Sequence, residues 1–250
     1  MSTQPTPLIA GNWKMNGLAA SLSELTALAE ALAADPARAR VAVCPPATLV
    51  ERAARAASGS GVEVGAQDCR GELSGAFTGD VAAEMVADAG ATLVILGHSE
   101  RRSGYGETDA VVRAKVKAAV RAGLEPIVCV GETLEERRAG RAVEVVQAQV
   151  TGSLPDELRG KAFSLAYEPV WAIGSGLTPS LAEIGEVHRA IRETLTARFG
   201  EASSAVAILY GGSVKPGNAA EILAIEDVGG ALVGGASLKA ADFLDIIRAV

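Results

Sequence analysis

Eight short apolar runs recur along the 250-residue chain, and most are followed by a stretch with helical periodicity. The runs are continuously apolar, which is typical of parallel strands that are buried on both faces of a sheet. We predict strands at 7–13, 40–44, 62–66, 92–97, 126–130, 162–167, 205–210 and 230–234. Alanine-rich helices are predicted between them, for example over 18–34, 107–122, 132–150 and 180–199.

The spacing of these units predicts the fold class. Eight strand–helix units in 250 residues give about 31 residues per unit, as expected of an α/β protein with a (β/α)8 barrel. No linker rich in proline, glycine or serine divides the chain. We therefore predict a single barrel domain over residues 1–250.

Composition and charge exclude several kinds of partner. The net charge is −7 and the pI is near 5.0, and no basic cluster with interleaved aromatic residues is present, which argues against nucleic acid. No apolar run reaches the length of a membrane span, and the first residues lack the basic and apolar regions of a signal peptide. An anionic ligand would need local positive potential from glycine amides, helix N-termini or a lysine.

The cysteines indicate the compartment. Cys44, Cys69 and Cys129 lie far apart in sequence and have no metal-ligand spacing. Such an odd and sparse set suits a reducing cytoplasm. We predict a cytoplasmic protein with no metal site.

The most informative stretch is 165–176, in which a short apolar strand runs into a glutamate. Pro169 ends the strand and holds Glu168 in an extended conformation. A carboxylate fixed beside an apolar flap that ends in glycine is typical of a general base with a lid. The predicted lid comprises Pro169, Val170, Trp171, Ala172, Ile173, Gly174, Ser175 and Gly176. The alternative is that Glu168 is a solvated loop carboxylate and that Trp171 caps the core.

Polar residues follow two other predicted strands, and in a barrel the carboxyl ends of all strands meet on one face. Lys14 follows the first strand and is either a cation for an anionic substrate or a snorkelling surface lysine. His98 follows the fourth strand, where we predict a proton donor or carbonyl polariser, with a structural core histidine as the alternative. His188 lies in a helical stretch and is predicted to be solvated.

Glycine pairs follow the seventh and eighth predicted strands, at 211–212 and 234–235. Each pair alone could be an ordinary turn. Together they favour a phosphate site, because barrels of this kind commonly bind phosphate through loop amides and a short helix after these two strands.

These motifs jointly resemble the triosephosphate isomerase family. The matching segments are Ala-Gly-Asn-Trp-Lys-Met-Asn at 10–16, Gly-His-Ser-Glu-Arg-Arg at 97–102, Ala-Tyr-Glu-Pro-Val-Trp-Ala-Ile-Gly at 166–174, Tyr-Gly-Gly-Ser at 210–213 and Val-Gly-Gly-Ala at 233–236. They occur in the family's order and spacing and cover essentially the whole chain.

The resemblance implies interconversion of dihydroxyacetone phosphate and glyceraldehyde 3-phosphate through an enediol(ate), with no cofactor. It makes Glu168 the base, His98 the neutral electrophile and Lys14 the stabiliser of negative charge. This division of roles is the family's own, and the family is itself a standard example of such pKa tuning. By the same resemblance Asn12 lies beside the catalytic groups and Glu100 supports them.

The resemblance also implies a phosphate site and a dimer. The positions matching the phosphate site are Asn12, Lys14, Gly174, Ser213, Gly234 and Gly235. Gly-Ala-Phe-Thr-Gly at 75–79 is similar to the family's dimerisation loop, which predicts a homodimer formed through Phe77 and Thr78. An ordinary core anchor is the alternative for Phe77.

Two segments depart from the family's pattern. Gly174-Ser175-Gly176 stands where the family usually has Gly-Thr-Gly, and Leu177-Thr178-Pro179 stands where many members carry Lys-Thr-Ala. The serine keeps the hydroxyl and loses a methyl, and the proline is expected to stiffen the hinge. We therefore expect differences in lid kinetics more than in chemistry.

Two other functions are weighed against this interpretation. A paralogue with the same machinery could isomerise a four-carbon keto-sugar phosphate. A non-catalytic phosphate-binding barrel could act as a sensor or scaffold, but it would need only the glycine loops, whereas Lys14, His98 and Glu168 are all present.

Overall fold

The computed structural model describes residues 5–173 and 177–250, and its sheet is a closed barrel of eight parallel strands. Each strand pairs with the next along the chain and β8 pairs with β1, so the sheet has no free edge. The strands are β1 Leu8–Asn12, β2 Arg40–Cys44, β3 Val62–Ala66, β4 Leu93–Leu96, β5 Glu125–Val130, β6 Ser164–Tyr167, β7 Ala207–Tyr210 and β8 Gly230–Val233. The predicted (β/α)8 TIM barrel is confirmed.

Helices surround the barrel. Within the described residues these are α1 Leu22–Ala34, α2 Val50–Ala56, α3 Ala83–Asp88, α4 Ser99–Tyr105, α5 Asp109–Arg121, α6 Leu134–Arg138, α7 Ala142–Ser153, α8 Leu181–Phe199, α9 Ala219–Leu223 and α10 Ala240–Ile247. The single helix predicted over 132–150 is wrong, since Gly140 at φ +70° ends α6. Its N–H donates to the Arg137 carbonyl and that of Arg141 to the Glu136 carbonyl, as in a glycine-terminated helix.

Strand side chains alternate between the inside of the barrel and the layer under the helices. In β1, for example, Leu8 and Ala10 belong to the inner cluster and Ile9 to the outer one. The inner cluster consists of Leu8, Ala10, Ala42, Cys44, Leu93, Ile95, Ile127, Cys129, Ala166, Ala207, Leu209 and Leu232. Both faces of each strand are therefore buried, which explains why the strands are continuously apolar in sequence.

An ion-pair network lies where the strands begin. Arg40, the first residue of β2, donates to Glu63 of β3 at 2.9 and 3.0 Å and to Glu125 of β5 at 3.2 and 2.8 Å. Ser164 of β6 also donates to Glu125, at 3.1 Å. The hydrogen bond that Arg40 donates to Glu63 is the main cause that raises the pKa of Arg40 above its usual value, and Glu125 adds to it. The polar groups at the amino-terminal ends of the strands are thus paired with one another.

The prediction that His188 is solvated is wrong. Its side chain on α8 is 0% exposed and lies edge-on to Tyr167, with ring centroids 5.8 Å apart, and 6.4 Å from Tyr210. Its Nδ1 is 3.2 Å from the Asp227 carbonyl oxygen. Burial is the main cause that lowers the pKa of His188 to about 4, so the ring is neutral. Apolar residues one turn away on either side place position 188 on the buried face of the helix.

No helix among the described residues combines the length and apolar character needed to cross a bilayer.

Candidate active site

A cavity of about 430 Å³ lies where the carboxyl ends of the strands meet. It contains most of the residues predicted from sequence, together with Lys215, which sequence reasoning missed. Its lining is Asn12, Trp13, Lys14, Asn16, His98, Glu100, Glu168, Ile173, Gly211, Gly212, Ser213, Val214, Lys215, Leu232, Gly234, Gly235 and Ala236. Residues from loops after β1, β4, β6, β7 and β8 thus share one space.

Glu168 is buried in this cavity and is not a solvated loop carboxylate. The chain after β6 places it 1% exposed, with Oε1 2.8 Å from His98 Nε2. The Ser99 backbone N–H donates to Oε2 at 3.0 Å and the Ser99 hydroxyl to Oε1 at 3.3 Å. Burial raises the pKa of Glu168, but the His98 contact and the Ser99 N–H outweigh it and lower the pKa. The carboxyl group is therefore ionised and able to accept a proton once it is released from these donors.

His98 has a defined tautomer. It immediately precedes α4, and its Nδ1 accepts a hydrogen bond from the Glu100 backbone N–H at 3.2 Å. A neutral imidazole with Nδ1 as acceptor carries its proton on Nε2, the atom that faces Glu168. Burial lowers the pKa of His98, while the Glu168 carboxylate outweighs this and raises it in the conformation described. His98 thus offers an N–H donor to the cavity.

Lys14 has a strained backbone conformation, with φ +52°. The Asn12 side-chain oxygen accepts its backbone N–H at 3.0 Å, and Gln67 donates to its carbonyl oxygen at 2.8 Å. Its Nζ is 2.5 Å from Glu100 Oε1. Such strain persists where neighbouring groups over-determine it, and it is concentrated at functional sites. The bracing by Asn12 and Gln67 therefore directs the ammonium group into the cavity.

The glycine pair after β7 is required by crowding. A Cβ at position 211 would lie 2.8 Å from Glu168 Cγ, and one at position 212 would lie 2.2 Å from the Tyr210 hydroxyl. Position 235, after β8, has no atom within 4 Å of an added Cβ, so the backbone there faces open space. A short 3-10 helix, Gly235–Leu238, starts at this point. The two loops bring backbone groups to the cavity from adjacent strands.

The first part of the predicted lid is anchored by a buried carboxylate. Trp171, in a 3-10 turn at Val170–Ala172, donates from Nε1 to Glu132 Oε1 at 2.9 Å. Glu132 is 0% exposed and also accepts from Arg137 at 2.9 Å and from the Tyr167 hydroxyl at 3.1 Å. Gly174, Ser175 and Gly176 lie outside the described residues.

Several contacts of the site were not predicted. Ser99, Gln67 and Glu132 hold Glu168, Lys14 and Trp171 in place, and their partners are 69, 53 and 39 residues away. For Ser99 a signal existed, because it heads the helix after His98 and its N–H has no partner within the helix. For the other two nothing in the sequence indicated the partner.

Two groups of predicted residues lie outside the cavity lining: the lid residues Pro169, Val170, Trp171 and Ala172, and the loop residues Phe77 and Thr78. Phe77 is half-buried beneath the Arg70 guanidinium, 3.6 Å from the ring centroid, and Thr78 is exposed. Phe77 is in neither apolar cluster of the described residues, nor among the partly buried residues packed against the larger one. Across residues 5–173 and 177–250, no group of three or more His, Cys, Asp or Glu side chains could hold a metal ion.

Comparison with known proteins agrees with this geometry. A family model described as "Triosephosphate isomerase" matches residues 7–250. A triosephosphate isomerase of Caulobacter vibrioides is 64% identical over 249 residues, covering 100% of this chain and 98% of that protein. One from Afipia carboxidovorans is 62% identical, with 97% of both chains covered. The crystal structure of triosephosphate isomerase from Bartonella henselae superposes with a TM-score of 0.91 at 48% identity, covering 97% of this chain and 98% of that one. The chain belongs to the triosephosphate isomerase family.

Proposed function

We propose that this isomerase interconverts dihydroxyacetone phosphate and D-glyceraldehyde 3-phosphate by proton transfer through an enediol(ate). The observation that carries the proposal is the meeting of an ionised, buried Glu168, the Nε2–H of His98 and the Lys14 ammonium in one cavity. A phosphate-binding scaffold would not need these three groups. Family membership supports triose over four-carbon substrates.

The reaction begins when Glu168 leaves Ser99 and turns toward the substrate. Its carboxylate takes a proton from the carbon next to the carbonyl group and later returns it to the former carbonyl carbon. His98 Nε2–H, no longer bound to Glu168, donates its proton to the former carbonyl oxygen and takes one back from the neighbouring hydroxyl oxygen, which becomes the new carbonyl group. This move also removes the carboxylate that contributes most to raising the pKa of His98, so that burial, with Lys14, acts against the remaining charge of Glu100 and favours the neutral ring.

Negative charge on the enediolate is stabilised by Lys14, and Asn12 keeps that lysine in position. Glu100 holds the Lys14 ammonium in the resting site. Because the chain has a net charge of −7, the phosphate needs local donors. We assign this role to backbone amides at Ser213, Gly234 and Gly235, and by resemblance to Gly174.

Residues 169–176 serve as a lid over the bound substrate. Its described part carries the apolar Trp171 and Ile173, and Ile173 lines the cavity. Excluding water strengthens the charge interactions inside and prevents the enediolate from eliminating phosphate. Trp171 and its hydrogen bond to Glu132 fix the resting position of the lid.

The functional unit is a homodimer. Residues 70–80 form a loop, here called the interface loop, beside a cavity of about 740 Å³. Four large apolar side chains line this cavity and are exposed in the single chain: Met15 (96%), Met85 (54%), Tyr105 (74%) and Val111 (42%). The interface loop lies beside this cavity on the same chain. The two features suit a twofold dimer in which the loop of each copy enters the cavity of the other. We expect one catalytic domain over residues 1–250, acting in cytoplasmic glycolysis and gluconeogenesis.

Steady-state kinetics on three- and four-carbon substrates test the activity. We expect turnover of both triose phosphates, with kcat/KM for a four-carbon keto-sugar phosphate lower by at least about tenfold, since each misplaced methylene-sized group costs about 1–3 kcal/mol. A preference for the four-carbon substrate would favour the paralogue, and phosphate binding without turnover would favour the scaffold.

A further inference from the structure

The interface loop contains a contact that crosses it from one end to the other. The Arg70 guanidinium stacks on the Phe77 ring with its carbon 3.6 Å from the centroid. Its Nε lies 2.9 Å from Glu72 Oε2, and its Nη1 donates to Asp80. One side chain at the start of the loop therefore contacts three residues along it.

The backbone of the loop is folded to match this contact. The Arg70 N–H donates to the Val81 carbonyl at 2.8 Å, which closes the base of the loop. The Phe77 N–H donates to the Gly75 carbonyl and the Asp80 N–H to the Phe77 carbonyl, both at 3.0 Å. A Cβ at position 75, where φ is +148°, would lie 2.8 Å from the Phe77 ring. The ring is thus held between the Gly75 backbone and the Arg70 guanidinium.

We propose that Arg70 is a positioning residue for subunit association, which holds the interface loop in its binding conformation before a second copy of this chain arrives. The inference rests on the proposed homodimer. Glycine-containing loops lose conformational entropy when they are ordered at an interface, and a loop that is ordered beforehand avoids this cost. The alternative is that Arg70 makes only exposed ion pairs, which contribute little.

Arginine is suited to this role because its planar group stacks on an aromatic ring and contacts carboxylates at the same time. Lysine would keep the charge and lose the stacked plane. The inference therefore predicts that lysine does not restore association. A role of charge alone predicts that it does.

The dimer dissociation constant, measured by sedimentation over a dilution series, tests the role of Arg70. We expect Arg70→Gln to raise this constant about tenfold. Arg70→Lys should raise it at least about fivefold. The matched control is Arg55→Gln, because Arg55 is an exposed arginine on α2 whose ion pair is with Glu51. A wild-type constant for Arg70→Gln would overturn the inference while leaving the dimer intact. A monomeric wild-type protein would overturn both.

A double-mutant cycle identifies the stack itself. The double variant Arg70→Gln/Phe77→Leu should raise the dissociation constant by less than the product of the two separate fold-increases. The shortfall should be a factor of about 2–5, which corresponds to a cation–π contact at an exposed site. At protein concentrations below the dissociation constant, where monomers predominate, the Phe77 and Asp80 amide hydrogens should exchange faster in Arg70→Gln than in the wild-type protein. Independent effects in the cycle, or equal exchange rates, would show that the loop is not ordered by Arg70.

Discussion

His188 supplies a part of the stability that depends on pH and can be measured apart from catalysis. In the folded protein burial lowers the pKa of this histidine to about 4, against 6.5 for a free side chain. Around the ring lie Tyr167, Tyr210 and the Asp227 carbonyl, and Arg192 is the charged group that also lowers its pKa. The folded state therefore keeps His188 neutral at pH values where the unfolded chain binds a proton.

The sign and size of the effect follow from proton linkage. Between pH 6.5 and 4 the unfolded state holds more protons, so the free energy of unfolding falls as the pH falls. The free energy of unfolding falls by about 1.4 kcal/mol for each pH unit in this window. Relative to neutral pH, the loss is about 2 kcal/mol at pH 5 and about 3 kcal/mol at pH 4. Above pH 6.5 this contribution is constant.

Urea unfolding of the wild-type protein and of His188→Phe, at one protein concentration and at several pH values between 7.5 and 4.5, checks this. Phenylalanine keeps an aromatic ring between the two tyrosines and removes the titration. Both proteins share the other titrating groups, whose contributions cancel when the two free energies of unfolding are subtracted. As the pH falls, the free energy of unfolding of the wild-type protein should decrease more than that of His188→Phe. Parallel curves for the two proteins, or an NMR titration of the His188 ring centred near pH 6.5, would refute the reasoning.

Three further predictions concern the site. Glu168→Gln keeps size and removes basicity, so kcat should fall by about 10²–10⁴ or more in a steady-state assay, and near-normal turnover would exclude Glu168 as the base. Gly235→Asp should raise the inhibition constant of a phosphorylated inhibitor much more than it lowers Tm, and unchanged inhibitor binding by the folded variant would remove the phosphate from this loop. Replacing residues 173–176 by one glycine should leave the circular dichroism spectrum intact and shift product toward methylglyoxal and free phosphate; normal isomerisation without extra phosphate would show that this segment is no lid.

The barrel could be predicted from the sequence because each strand carries its own signal. A strand buried on both faces is apolar throughout, so β4 and β5 can be recognised without knowing their neighbours. The convergence of Glu168, His98 and Lys14 follows in turn, since the fold brings all strand ends to one face. Gly140 was also visible in the sequence, and its helix-ending role shows that a long periodic stretch needs to be checked for such residues.

The contacts that hold the site could not be predicted in the same way. Gln67 braces Lys14, and Glu132 binds Trp171, through contacts between loops that follow different strands and meet only once those strands have assembled into the sheet. An amide or a carboxylate in a loop reads as solvated unless its partner is known. His188 is a different case, because the tyrosines that bury it lie on β6 and β7, the strands on either side of α8 in the chain, and the apolar residues one turn away already marked its face of the helix as buried.

The network around Arg40 has a consequence for the order in which the chain folds. Its carboxylate partners lie 23 and 85 residues further along, so one guanidinium joins β2 to β3 and to β5, which is not its neighbour in the sheet. The bond to Glu125 requires the first five strands to have curved toward closure, and we expect it to form late because closing a long loop costs conformational entropy. Contacts absent from the transition state slow unfolding and leave the folding rate almost unchanged. We therefore expect the network to act on the lifetime of the closed barrel more than on the speed of its formation.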